Sequence, residues 1–260
     1  MDKIKAVVLT YDKNRALTDH MIVKYNNLWP DHPFKFRVPY QDLAPTLEGN
    51  NIEYVKSPSD IKGTVLNLLK DLDDEELIYW CIDDKYPIKL NVSKIKKLYN
   101  FIRSEYAQNV DALLFCRCRG MLKKSNLFDY ELKSTDGDTL LERRNYHQIW
   151  IHQFVKVKVI REMFLGFPDE ILSAKVMDDF KDDMSKPLDQ KLFVTSKNHA
   201  VFGESATRGV LTKNCSESIK ALGLTHPNWA EGVTQDEIFM GNENDGILKR
   251  AVNKLTKRFK

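Results

Sequence analysis

Over the first 116 residues, short apolar runs alternate with segments whose apolar positions recur about every 3.6 residues, a pattern that restricts the chain to few architectures. Ile4 to Leu9 predicts a strand. The polar turn at 10–15 follows, then a helix that Asp19 would cap, with Met21, Ile22, Tyr25, Leu28 and Trp29 inward and Pro30 as its stop. Strands are predicted at 34–39 and 52–55, joined by a loop containing proline and glycine. Ser59 and Asp60 open a helix that places Ile61, Val65, Leu68, Leu69 and Leu72 on one face. Leu77 to Ile82 predicts a fourth strand, 93–106 a helix and 111–116 a fifth strand. Parallel neighbours need crossover connections, which helices usually supply. The pattern therefore implies an α/β domain with a mostly parallel central sheet and helices on both faces.

In such sheets ligands bind beyond the carboxyl ends of the strands, where the strand order reverses. That rule directs attention to residues 10–15, 83–86 and 116–120. The run Leu77 to Ile82 is apolar throughout rather than alternating, as expected of a central strand buried on both faces. Asp83 and Asp84 emerge directly from it. An unpaired carboxylate there is costly to desolvate, whereas a hard divalent cation such as Mg2+ or Mn2+ would satisfy it and take its remaining ligands from water and substrate phosphates. A solvated turn neutralised by Lys85 is the plainer alternative.

Beyond residue 120 the pattern is less regular. Residues 121–150 read as an excursion or hairpin around the turn at 134–138, residues 153–164 and 170–183 as helices, 192–196 as a strand, and 216–222 as a short helix closed by Gly223. No linker or repeat interrupts the chain. It is read as a single domain over 1–246, with a nucleotide-binding half at 1–120 and an acceptor-side half at 121–246, followed by a C-terminal helical elaboration.

Composition narrows the partners. With 260 residues, 42% of them hydrophobic, the chain can bury a large core without disulfides, and no apolar run is long enough to span a bilayer. A cytoplasmic location is expected. The 40 basic and 37 acidic residues leave a net charge of only +3, which does not favour nucleic acid as a partner. Cys116 and Cys118 are alternate residues of a strand with no matching second pair, so zinc is not expected.

The stretch Ala6 to Lys13 resembles the opening of GT-A-fold nucleotide-sugar glycosyltransferases, and Ile78 to Tyr86 is similar to the aspartate-containing motif of that fold. The likeness is strongest to bacterial capsule and lipopolysaccharide glycosyltransferases, in which an Asp-Asp pair followed by an aromatic closes a buried strand. Leu28-Trp29-Pro30-Asp31-His32-Pro33 resembles their Trp-Pro step, and Ile151-His152-Gln153 the start of their acceptor-side half. In place of the usual Asp-X-Asp stands Asp83-Asp84-Lys85. The resemblance implies transfer of a sugar from a nucleotide diphosphate donor to a hydroxyl of a glycan or lipid-linked acceptor in surface polysaccharide synthesis. Asp83 and Asp84 would hold Mn2+ or Mg2+, with Lys85 near the diphosphate. Thr10, Tyr11 and Asp12 would meet the nucleotide, and Arg15 the phosphates through its two-point guanidinium. For a base that deprotonates the acceptor, Asp179 or Asp178 come first, then Glu170 or Asp169.

Two further features stay open in sequence alone. Glu204 and Arg208 would belong to a lid over the donor, or to an ordinary surface loop. The tail 247–260 carries six cations beside an apolar stripe of Ile247, Leu248, Ala251, Val252, Leu255 and Phe259. It suits either a helix lying on anionic lipid at the inner face of the membrane or one packed on the domain. Other functions compatible with the pattern are a sugar nucleotidyltransferase and a nucleotide- or glycan-binding module without catalysis. The turn at 10–15 has no glycine, which counts against the phosphate loop that nucleotidyltransferases tend to need.

Overall fold

A computed structural model describes residues 3–43, 45–117, 124–170, 172–207, 209–230, 232–235, 237 and 239–241. In chain order the main elements begin with β1 (Ile4–Leu9), α1 (Arg15–Leu28), β2 (Phe34–Tyr40), β3 (Ile52–Lys56), α2 (Ile61–Leu69), β4 (Leu77–Ile82), β5 (Lys85–Leu90) and α3 (Val92–Ile102). They continue with β6 (Ala112–Leu114), β7 (Leu127–Lys133), β8 (Thr139–Arg143), β9 (Gln153–Lys156), α4 (Val157–Gly166), α5 (Ala174–Asp183), β10 (Leu192–Thr195), β11 (Ala200–Glu204) and α6 (Lys213–Ala221).

Nine strands form one sheet in the order β3-β2-β1-β4-β9-β6-β10-β8-β7. The α/β expectation holds, and β3, β2, β1 and β4 are parallel as the crossover argument requires. The other half is mixed. β9 runs antiparallel to both β4 and β6, β10 is parallel to β6, and the hairpin β7–β8 closes the edge antiparallel to β10. Helices cover both faces. One apolar cluster joins Leu17, Met21 and Tyr25 of α1 and Leu98 and Tyr99 of α3 to one side of the sheet, and the other joins Val65 and Leu68 of α2 and Ile160 and Met163 of α4 to the opposite side.

Four local expectations are corrected. Residues 153–156 form β9, and the helix starts only at Val157, because Phe154 and Val155 fill the gap between β4 and β6. α1 begins at Arg15 rather than after Asp19, whose carboxylate accepts from the Thr46 hydroxyl at 2.5 Å instead of capping. The helix over 93–106 stops at Ile102. Glu204 ends β11, a strand paired antiparallel with β5, rather than lying in a loop. Arg208, Cys118 and the tail 247–260 lie outside the described residues. Among the described residues no helix is long and apolar enough to cross a membrane.

Candidate functional site

The strand order reverses between β1 and β4. From β1 the chain proceeds outward to β2 and β3, then returns to lay β4 against β1's other edge. Leu9 and Ile82 are register partners at the ends of these two parallel strands, so the next residues, Thr10 and Asp83, emerge side by side. The Thr10 hydroxyl lies 2.6 Å from Asp83 Oδ2 and 2.7 Å from the hydroxyl of Thr18 on α1. Since the Asp83 backbone N–H is spent on the Leu9 carbonyl, the two strand ends are tied through main chain and side chain alike.

Asp83 is only 6% exposed. Burial and the neighbouring Asp84 carboxylate push its pKa up to about 7, against the pull of hydrogen bonds from Thr10 and Asn14 and of the Lys85 ammonium. A cation brought to this carboxyl would restore its charge. Asp83 and Asp84 occupy a tight turn between β4 and β5, which the sequence reading did not anticipate as a second strand. Ser205 clasps that turn by donating its N–H to the Asp84 carbonyl at 2.7 Å.

Asp84 points the other way. Its Oδ2 accepts from Lys85 Nζ at 2.5 Å, while Oδ1 is buried without a hydrogen-bond partner. Lys85 is itself nearly buried and also approaches Glu204 Oε1 at 3.9 Å. No three His, Cys, Asp or Glu side chains converge to hold an ion among the described residues. The two carboxylates nonetheless fit the mode in which Mg2+ or Mn2+ takes one or two protein oxygens and completes its shell from water and phosphate. The orphaned Asp84 oxygen is the atom that such a cation would satisfy.

The polar turn after β1 splits into two roles. Tyr11 is 46% exposed, a ring open to a ligand. Asp12 is turned back into the protein, where its carboxylate accepts from the backbone N–H groups of Gln41, Asp42 and Leu43 at 3.1, 2.6 and 2.8 Å and from Arg15 at 3.2 Å. Partial burial raises the Asp12 pKa, but these donors outweigh it and hold the carboxyl below its ordinary value. Its acceptor capacity is thus committed to the loop after β2. Arg15 is buried over the Tyr54 ring at 5.1 Å and donates from Nη2 to the Pro39 carbonyl at 3.2 Å. Its Nε and Nη1 have no hydrogen-bond partner, leaving three of the guanidinium's five N–H donors unspent.

The acidic residues suggested as bases lie elsewhere. Asp178 and Asp179 are on α5, which packs through Met177 on the α2 and α4 side of the sheet, whereas Asp83 meets Thr10, itself bonded to Thr18 of α1, on the α1 side. Asp178 pairs with Lys181 at 3.0 Å and Asp179 is exposed. Asp169 pairs with Lys62 at 2.6 Å, and Glu170 is exposed just before α5. Residues the sequence reading passed over are Asn14, Thr18 and Ser205. Asn14 lay inside the polar turn already singled out and Ser205 beside Glu204 in a segment without the glycines of a nucleophile elbow, and Ser205 reaches the site only through the pairing of β5 with β11.

No family model and no curated protein matches the sequence. Solved structures similar to the chain include a 4-diphosphocytidyl-2C-methyl-D-erythritol synthase from Anaerococcus prevotii, at 11% identity and TM-score 0.41, covering 85% of this chain and 96% of that one. The galactosyltransferase LgtC, in complex with donor and acceptor sugar analogues, is 12% identical with TM-score 0.38, covering 83% of this chain and 78% of that one. TarS of S. aureus is 16% identical with TM-score 0.43, covering 76% of this chain and 36% of that one. The similar structures thus include a galactosyltransferase beside a cytidylyltransferase.

Proposed function

We propose that the protein transfers a sugar from a nucleoside diphosphate donor to a hydroxyl of a glycan or lipid-linked acceptor in surface polysaccharide synthesis. The observation that carries this reading is the 2.6 Å contact between Thr10 and Asp83. It puts a polar turn and a carboxylate pair together beyond the carboxyl ends of β1 and β4, where open α/β sheets take nucleotides. Tyr11 would pack on the base. The guanidinium of Arg15 and the ammonium of Lys85 would neutralise charge gathering on the departing diphosphate. Asp84, with Asp83 behind it, would hold Mn2+ or Mg2+, whose contribution when bound is Lewis-acid stabilisation of that same leaving group. In an inverting reaction the acceptor proton would go to a carboxylate, and the placement of Asp178 and Asp179 on the α2 and α4 side of the sheet argues for one other than these two. The cytoplasm supplies such donors. Contact of the basic segment 247–260 with anionic lipid would bring the enzyme to its acceptor.

The test is a thermal-shift series with UDP, GDP, ADP and CDP, with and without Mn2+, followed by turnover of the matching nucleotide sugar. Stabilisation that requires Mn2+ and disappears in Asp84→Ala and Asp83→Ala is the expected result, with release of nucleoside diphosphate on adding acceptor. Release of pyrophosphate from a nucleoside triphosphate and a sugar phosphate would make the protein a nucleotidyltransferase instead. Nucleotide binding without turnover of any donor would reduce it to a binding module.

A further inference from the structure

A concave site lies toward the β7–β8 edge of the sheet, apart from Thr10 and Asp83. Asn109 precedes β6 and Lys191 precedes β10, so both sit at the amino ends of strands whose parallel relatives β1 and β4 carry Thr10 and Asp83 at their carboxyl ends. Together with Tyr106, Tyr130, Glu142 and Phe193 they line a cavity of about 460 Å3. That volume falls within the ~300–1,000 Å3 of small-ligand sites and has room for a mono- or disaccharide.

Its walls combine two kinds of surface. Tyr106 and Tyr130 are 69% and 53% exposed, so neither ring is committed to the core. Tyr130 stands 6.3 Å from the Phe193 ring, extending an aromatic face into the cavity. Directly across the β8–β10 ladder from Phe193 is Glu142, a carboxylate 5% exposed whose Oε1 meets Lys191 Nζ at 3.3 Å. Aromatic faces match the C–H face of a pyranose, while a fixed carboxylate, an ammonium and the Asn109 amide accept from and donate to its ring of hydroxyls. A phosphorylated ligand suits the site poorly, because Glu142 stands beside the Lys191 cation that would have to receive it.

We propose that this cavity is a carbohydrate-binding site, separate from the transfer site, which takes a neutral pyranose unit of a glycan. Its role as a holding point for the acceptor chain rests on the glycosyltransferase reading, but binding itself does not. The experiment applies the full-length protein to an array of neutral and acidic oligosaccharides, beside Tyr106→Ala/Tyr130→Ala and Asp83→Ala. Retention of neutral glycans, weakened about tenfold or more when both rings are removed, unchanged in Asp83→Ala, and with the melting temperature of the tyrosine variant intact, is the expected result. No retention of any neutral glycan, or retention unaffected by the tyrosine variant, would overturn the site. Retention lost only in Asp83→Ala would assign all glycan contact to the transfer site. Loss of the Mn2+-dependent nucleotide response with array binding intact would remove the transfer reading and leave this second site standing.

Discussion

His152 donates from Nε2 to the carbonyl oxygen of Ile82 at 2.9 Å, one residue before Asp83. A carbonyl can only accept, so the hydrogen resides on Nε2 and Nδ1 accepts from the Tyr25 hydroxyl at 2.6 Å, which is in turn 2.8 Å from that of Tyr79. Burial, ahead of the opposing pull of this carbonyl and Asp84, lowers the His152 pKa to about 4 and keeps the ring neutral. The histidine is a strut under the end of β4. His152→Phe preserves the ring's bulk but strands the Ile82 carbonyl and the Tyr25 hydroxyl. A loss of about 2–4 kcal/mol in urea unfolding is expected, with an unchanged denaturant slope. Full stability in that variant would show that the strut contributes nothing.

The buried titrating groups act in opposite directions on acid stability. His20, lowered to about 3 by burial and then Lys24, and His152, lowered to about 4, bind protons more readily in the unfolded chain. Their contribution is complete above the unfolded histidine pKa and is lost as pH falls below it. Asp83, raised to about 7, binds its proton more readily when folded, so its contribution is complete at low pH and is lost as pH rises through 7. Replacing Asp83 by Asn removes the second effect alone. Between pH 5 and 6 the stability of Asp83→Asn should climb more steeply than that of the wild type, by about 1.4 kcal/mol per pH unit. Parallel slopes in urea titrations across that range would contradict the folded-state protonation of Asp83.

Asp12 gathers three consecutive backbone donors from the loop after β2. Asp12→Ala should cost about 1–2 kcal/mol, because those N–H groups are partly open to water. It should also speed amide exchange at Gln41, Asp42 and Leu43. Retained protection at these three amides would exclude the role.

Gly203 faces Tyr86 so closely that a Cβ would stand 2.5 Å from its Cζ and 2.7 Å from its hydroxyl oxygen. The ring cannot withdraw freely, since its hydroxyl accepts from Asn214 at 2.6 Å and its centroid lies 4.5 Å from His20. Gly203→Ala should destabilise by about 1–3 kcal/mol, and it should weaken any nucleotide response because Tyr86 follows Lys85. Gly203→Ala combined with Tyr86→Leu should recover most of the stability, a double-mutant cycle that isolates the contact.

The elements that could be recognised in sequence are those with an unambiguous period. β1 and β4 have the bounds expected from the runs Ile4–Leu9 and Leu77–Ile82. β9 escaped notice because four residues ending where a helix begins do not reveal whether their period is 2 or 3.6. β5 was hidden by Pro87, which is tolerated because β5 is an edge strand of its small sheet. At the site, Thr10 and Asp83 were legible as strand-end residues, but their contact depends on the register of β1 with β4. Lys85 looked like a surface cation following two aspartates. Its burial follows from the pairing of β5 with β11, a contact between positions too distant for local pattern to reveal.

β9 has a consequence for how the chain comes off the ribosome. Both of its neighbours, β4 and β6, are synthesised before it, and β9 fits antiparallel between them. Until residues 153–156 emerge, those two strands present bare hydrogen-bonding edges to whatever else is nearby. The interval between making β6 and making β9 is therefore when a growing chain is most open to pairing with another copy, and a product ending before residue 156 would carry that exposure permanently.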